Sequence, residues 1–236
     1  MRHRIYTPEP FAPGDRIAIR GDELHHAARV VRVHAGEEVE LFDGKGIAAH
    51  GVITAVEHDQ LVVNVLTIID ARETRLSITL AMSIIALDRF ELVLQKATEL
   101  GVRSILPIVT ERVEIRPERY RGKQERWERI IFEAVKQSGR ARTPQLESPL
   151  PFPEAIARPG TKIVFDADIE PSPALDAPLE VQTLFIGPEG GWSEHELELA
   201  RTAGAHFRRL GARRLRAETA AIVAVTCSLA DSGELD

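Results

Sequence analysis

Residues Leu184 to Thr226 read as strand, glycine loop, helix, strand, glycine loop and helix, and that order restricts the chain to an α/β fold. Leu184–Ile186 is a short apolar run, suited to a parallel strand covered on both faces. Gly187-Pro188-Glu189-Gly190-Gly191 follows it, at the strand end where open α/β sheets bind ligands. Ser193 and Glu196 have capping-box spacing, so a helix is expected to start there and to stop at Gly204. His206–Leu210 is the next predicted strand, Gly211 opens a second loop, and a last helix is predicted from near Ala217.

Both loops fall at strand ends, where glycines let the backbone approach a ligand with no side chain between. Neither is a phosphate grip, because G-x-x-x-x-G-K-[ST] is absent and no G-x-G-x-x-G follows a strand. The expected ligand is held by backbone contacts to neutral groups.

GPEGGWSEHE and LGARRLRAETAA resemble the two knot-forming motifs of the SPOUT methyltransferases. More narrowly, the chain is similar to the ribosomal small-subunit RNA methyltransferase E family. Gln95–Val102 (QKATELGV) and Glu133–Arg140 (EAVKQSGR) match further stretches of that family, so the resemblance runs essentially end to end. It departs at Ala212, where the family often has proline, and at Arg214, where it often has an aliphatic residue. The resemblance implies an α/β fold with a SPOUT-type parallel sheet and a C-terminal trefoil knot. It also implies a small N-terminal PUA-like β-barrel that binds RNA. The implied activity is N3-methylation of a uridine in 16S rRNA, with S-adenosylmethionine as donor and a homodimer as the working form. Carried onto this chain, the cofactor positions are Ile186, Gly187, Pro188, Glu189, Gly190 and Gly191 in the first motif. In the second they are Leu210, Gly211, Leu215, Thr219 and Ala220.

Bulk charge does not advertise a nucleic-acid partner: 30 Lys+Arg against 36 Asp+Glu leave a net charge of −6. RNA binding must therefore come from local basic patches. With no signal peptide and no apolar run near about 18 residues, a cytoplasmic protein with no membrane association is expected. The lone Cys227 excludes an intrachain disulfide and reads as a small core residue of the last helix.

Residues 1–71 read as the β-rich domain and 72–236 as the methyltransferase domain, with the boundary in the charged stretch Ala71–Arg75. Strands are predicted at Arg16–Ile19, Val39–Phe42, Ile47–Glu57 and Leu61–Ile69, with a turn over Asp43–Gly46 and a helix from Asp22 carrying Leu24, Ala27, Ala28 and Val31. Arg2 and Arg4 flank His3, and Arg29, Arg32 and His34 can join them in a basic patch for RNA; a solvated face is the plainer reading of the same residues. His25-His26 are adjacent on a predicted helix and diverge, and no Cys/His/Asp cluster accompanies them, so no metal is expected.

In the larger domain Leu76–Ile85 is the first predicted strand. Asp88 is the expected cap of a helix with Phe90, Val93, Leu94 and Ala97 on one face. Ile105–Val109 and Lys162–Asp166 are further strands, Gln124–Ser138 a helix, Pro153–Ala157 a short helical piece, and Asp168–Pro178 a proline-rich surface loop. Arg140 and Arg142, with Lys136, sit near the end of the Gln124 helix. They fit phosphate contacts and a structural match to the helix dipole equally well.

Uracil N3 carries a proton at neutral pH and is a poor nucleophile until it loses it. Arg216 and Arg213 can supply positive charge to the uracil oxygens, and Glu218 or Glu189 can accept a proton or orient another group. Both glutamates also fit helix N-terminal charge matching or loop capping. The residues single out no catalytic base. A SPOUT ribose 2′-O-methyltransferase acting on tRNA or rRNA, and a non-catalytic RNA-binding assembly factor, are the alternatives.

Overall fold

The computed structural model describes residues 2–173 and 180–235. It divides into two compact units: residues up to Glu73 together with Val135–Thr143, and Thr74–Ala134 together with Pro144 onward. The first break falls beside the predicted boundary. The segment Val135–Thr143, which the sequence division left in the methyltransferase domain, groups with the first unit.

The first unit carries β1 (His3–Tyr6), β2 (Arg16–Ile19), β3 (Glu38–Phe42), β4 (Ala48–Val56) and β5 (Leu61–Ile69) in one sheet of order β1-β3-β4-β5-β2. Its core is built from alternate strand residues, among them Ile5, Val39, Leu41, Ile53, Leu61 and Val63. Strand β1 is the element that the basic reading of Arg2–Arg4 hid; it pairs parallel with β3. Asp43 makes the β3–β4 turn, its buried carboxylate accepting the N–H groups of Lys45, Gly46 and Ile47 at 2.7, 2.9 and 2.9 Å. The predicted helix from Asp22 splits into α1 (Gly21–His25) and a π-helical run His26–Val31, which ends on Arg32 in the left-handed region at φ 63°. Ala27 is buried, and Leu24 and Val31 pack on the core as their spacing requires.

The second unit holds β6 (Ser77–Ser83), α2 (Leu87–Glu99), β7 (Ser104–Val109), α3 (Pro117–Tyr120), α4 (Gln124–Ser138), β8 (Gln145–Leu146), β9 (Leu150–Pro151), α5 (Phe152–Ile156), β10 (Thr161–Phe165), β11 (Val181–Ile186), α6 (Glu194–Thr202), β12 (His206–Arg208) and α7 (Ala217–Asp231). The last turn of α4 groups with the first unit. All pairings in this sheet are parallel, in the order β12-β10-β11-β6-β7-β8 with β9 also on β7. One face is covered by α2, α4 and α7 through Phe90, Val93, Trp127, Ile131, Ala221 and Val225. The other is covered by α5 and α6 through Phe152, Ile156 and Ala200.

Three sequence expectations change here. Asp88 lies inside the first turn of α2, and the N-cap is Ala86, which makes no side-chain cap. Cys227 is partly exposed on α7, so it is not a core residue. Strand β12 stops at Arg208, which leaves Leu210 in the loop after it. The predicted loop Asp168–Pro178 lies outside the described residues from position 174 to its end.

Candidate active site

A cavity of about 730 Å³ opens at the carboxyl ends of β10, β11 and β12, wholly within the second unit. Three loops, Arg112 from the loop after β7, and the starts of α6 and α7 line it. The first loop contributes Ile186, Gly187, Pro188, Glu189, Gly190 and Gly191, all of the positions named from the first motif. The second contributes Leu210, Gly211, Leu215 and, from α7, Ala220; Thr219 does not line the cavity. The third follows β10 and adds Phe165, Asp166, Ala167 and Asp168. Sequence reasoning missed that third loop. Its strand was legible, but its place between β11 and β12 depends on a crossover that no local pattern encodes.

The loops are fixed from below. Trp192 donates its indole N–H to the carbonyl of Phe165 at 3.0 Å, tying the first loop to the end of β10. A Cβ on Gly187 would lie 3.0 Å from that indole, so a side chain at 187 would displace the tie. Gly191 turns at φ 70°, which favours glycine. Gly190 brings its backbone against Arg112: a Cβ there would meet the Arg112 Cβ at 3.2 Å, and the Arg112 guanidinium donates to the Gly190 carbonyl at 3.0 Å. Helix α6 starts at the predicted capping box, with Ser193 Oγ accepting the Glu196 N–H and Glu196 accepting the Ser193 N–H.

Arg213 and Arg216 line the mouth with Arg112 and Arg214, and Arg214 pairs with Asp168 across it. Glu218 is not in the lining. Its carboxylate is mostly buried at the start of α7, with Oε1 4.0 Å from Arg216 and 3.9 Å from Arg89, and Oε2 has no hydrogen-bond partner among the described residues. Asp166, Asp168, Glu189 and Glu194 place carboxylates in the same cavity.

The first unit corrects the expected RNA contacts. Arg4 is nearly buried: it donates to Glu40 at 2.7 Å, to the carbonyls of Val135 and Lys136 at the end of α4 and to that of Arg140, and it stacks 4.5 Å over the Phe42 ring. Burial lowers its pKa from the ordinary arginine value, with Glu40 opposing. Arg140 is buried against Glu73 at 2.8 Å, and Glu73 also accepts the Ala141 and Arg142 N–H groups. Arg4 closes the helix end and Arg140 is held by Glu73, so neither is presented to a phosphate. Arg142 is half-buried, packed where a Cβ on Gly46 would fall. Arg2 is half-exposed and holds Glu38 and His50. Arg29 and Arg32 are exposed, on and just after the π-helical run.

A parallel sheet with a loop-lined cavity at its strand ends, in a chain that also carries a small β unit, defines a class. The model of the RNA methyltransferase domain matches residues 72–228, and that of the RNA methyltransferase PUA domain matches residues 19–66. The protein named ribosomal RNA small subunit methyltransferase E from Synechocystis is 34% identical, covering 94% of this chain and 75% of its own. Its namesake from Aquifex aeolicus is 31% identical over 95% of this chain and 97% of its own. The crystal structure of a ribosomal RNA small subunit methyltransferase E from Neisseria gonorrhoeae, bound to S-adenosylmethionine, superposes with a TM-score of 0.88 at 32% identity, covering 98% of both chains. The chain belongs to the ribosomal RNA small subunit methyltransferase E family.

Proposed function

We propose that this chain transfers a methyl group from S-adenosylmethionine to N3 of a uridine in 16S rRNA. The observation that carries the reading is the cavity at the ends of β10, β11 and β12, which gathers nearly every position of both motifs. Its volume is in the range of small-molecule sites. Ile186, Leu210, Leu215 and Ala220 suit an apolar ring, the backbone of the first loop suits polar groups, and the lining carboxylates suit a cationic donor. The relatives' name and the donor bound in the gonococcal enzyme support the same assignment.

When bound, the donor supplies an electrophilic methyl carbon to a nucleophile lined up behind it. The chain's own part is positioning and charge. Arg213 and Arg216, at the mouth, draw in the polyanion and offset negative charge on the uracil oxygens as the N3 proton leaves. In such a transfer the N3–carbon bond would form as the carbon–sulfur bond breaks, S-adenosylhomocysteine would leave as the neutral thioether, and the N3 proton would pass to solvent. Glu218 lies behind Arg216 and orients it. In this reading Leu184 to Thr226 carries the trefoil knot, and residues 1–71, as a PUA-like unit, carry RNA affinity through exposed arginines such as Arg29 and Arg32. Among the described residues no helix is long and apolar enough to cross a membrane, in keeping with a cytoplasmic place beside the ribosome.

We also read the working form as a homodimer. Ala221, Ala224, Val225 and Leu229 of α7 are buried in the sheet core, while Ile222, Val223, Thr226 and Cys227 form a half-exposed face of modest side chains, suited to an isologous contact.

The decisive experiment is mass mapping of 16S rRNA from cells lacking the protein, followed by methylation of that RNA with the purified chain and labelled donor. The expected product is one 3-methyluridine. A methyl on ribose, or no transfer together with no heat of donor binding, would overturn the reading.

A further inference from the structure

Arg89 stands in the first turn of α2, where a cation opposes the helix dipole. Asp88 offsets part of that cost, and so do two carboxylates from distant parts of the chain. One Arg89 nitrogen lies 3.5 Å from Glu189 Oε1 in the first loop, and another lies 3.9 Å from Glu218 Oε1 at the start of α7. A purely structural surface arginine has no need of this position. Its platform is firm: Phe90 next to it is fully buried, and α2 and α7 share the core through Val93, Leu94, Ala221 and Val225.

We propose that Arg89 is a positioning residue for methyl transfer, holding the first loop and the start of α7 in register through Glu189 and Glu218. This rests on the methyltransferase reading above. Glu218 has two cations within reach. Arg216 is largely exposed and lines the mouth, whereas Arg89 is anchored on a packed helix. Arg89 therefore fixes the Glu218 carboxylate, and that carboxylate fixes where the Arg216 guanidinium sits over the reacting base. The 3.5 to 4.0 Å separations suit a network that tightens when both ligands are in place. Arg89 is not itself a lining residue, so its effect must pass through the two glutamates.

The test is single-turnover methylation of small-subunit RNA by the unaltered protein and by Arg89→Gln, Arg89→Lys, Glu218→Gln and the Arg89→Gln/Glu218→Gln pair, with circular dichroism and melting as controls. Arg89→Gln should slow the chemical step about ten-fold or more and move the donor's apparent KM by less than about three-fold, since the lost contact acts on the transition state. Arg89→Lys keeps the charge and should recover part of the rate. The double variant should be faster than the product of the two single effects would give, because groups acting as a unit do not multiply and only the Glu189 contact remains for Arg89 to lose. An active protein whose Arg89→Gln variant keeps its rate, or in which the two substitutions multiply, overturns this inference alone. An unaltered protein that transfers no methyl to RNA overturns the functional reading and this inference with it.

Discussion

The buried carboxylate of Glu196 accepts the backbone N–H of Glu111 at 2.9 Å while its other oxygen accepts the N–H of Ser193 at 2.8 Å. One side chain thus caps α6 and pins the loop after β7, whose next residue, Arg112, reaches the glycine loop. Glu196→Gln would turn an amide N–H toward one of these donors. The expected loss is about 1–3 kcal/mol of stability, the cost of a buried donor left without its acceptor. Urea unfolding measures it, and a midpoint unchanged from the unaltered protein would contradict it.

Arg4 and Arg29 offer a test that separates a structural arginine from one proposed to face RNA. Arg4→Ala removes one member of a nearly buried ion pair together with its hydrogen bonds to the α4 carbonyls of Val135 and Lys136. A cost of roughly 3–5 kcal/mol is expected. The Arg29→Ala/Arg32→Ala pair should leave melting nearly unchanged but weaken RNA binding and flatten its dependence on salt, as lost phosphate contacts do. Filter binding across a salt series reads both. An unchanged slope would remove these arginines from the RNA surface.

Much of this division lay beyond the sequence. Local patterns located the Ser193 capping box, the Asp43 turn, the Gln124–Ser138 helix and both glycine loops, because each is fixed by residues a few positions apart. The roles of Arg4 and Arg140 were not legible, since their partners Glu40 and Glu73 lie 36 and 67 positions away. The same holds for the loop after β10, which reaches the site through strand order. Arg89 was hidden in a helical face that already accounted for its neighbours.

Glu91 and Arg126 form a two-pronged pair at 2.6 and 2.7 Å between α2 and α4. The hydrogen bonds donated by Arg126 hold the Glu91 carboxyl below its ordinary value, with burial opposing. A depressed folded pKa means the pair's stabilisation is present above the unfolded pKa and is lost as pH falls through the folded one. Glu91→Gln should therefore lower the urea midpoint at about pH 7, and the gap to the unaltered protein should close below the usual carboxylate range of about pH 4. A gap that is the same at both ends would mean the side chain acts by packing alone.

The half-exposed face of α7 gives a direct test of the dimer. Val223→Arg places a long cation where a symmetric partner helix would bring its own copy close, so both charge and bulk oppose association. Light scattering should report a dimer for the unaltered protein and a monomer for the variant, with circular dichroism unchanged. A monomeric unaltered protein would remove the second copy from the mechanism.

Arg216 is the N-cap residue of α7, largely exposed at the cavity mouth, with its guanidinium 4.0 Å from Glu218. Its backbone already leads into the helix, so its side chain is not needed as a cap. A planar fork can meet two acceptors at once, whereas an ammonium meets them as a point charge. Arg216→Lys therefore keeps the positive charge but would lose the paired contact proposed to the base oxygens. Single-turnover methylation should slow by about ten-fold or more, the equivalent of about 1.4 kcal/mol of transition-state contact. RNA affinity should change little, because the net charge is the same. A normal rate with weakened RNA binding would assign Arg216 to holding the substrate.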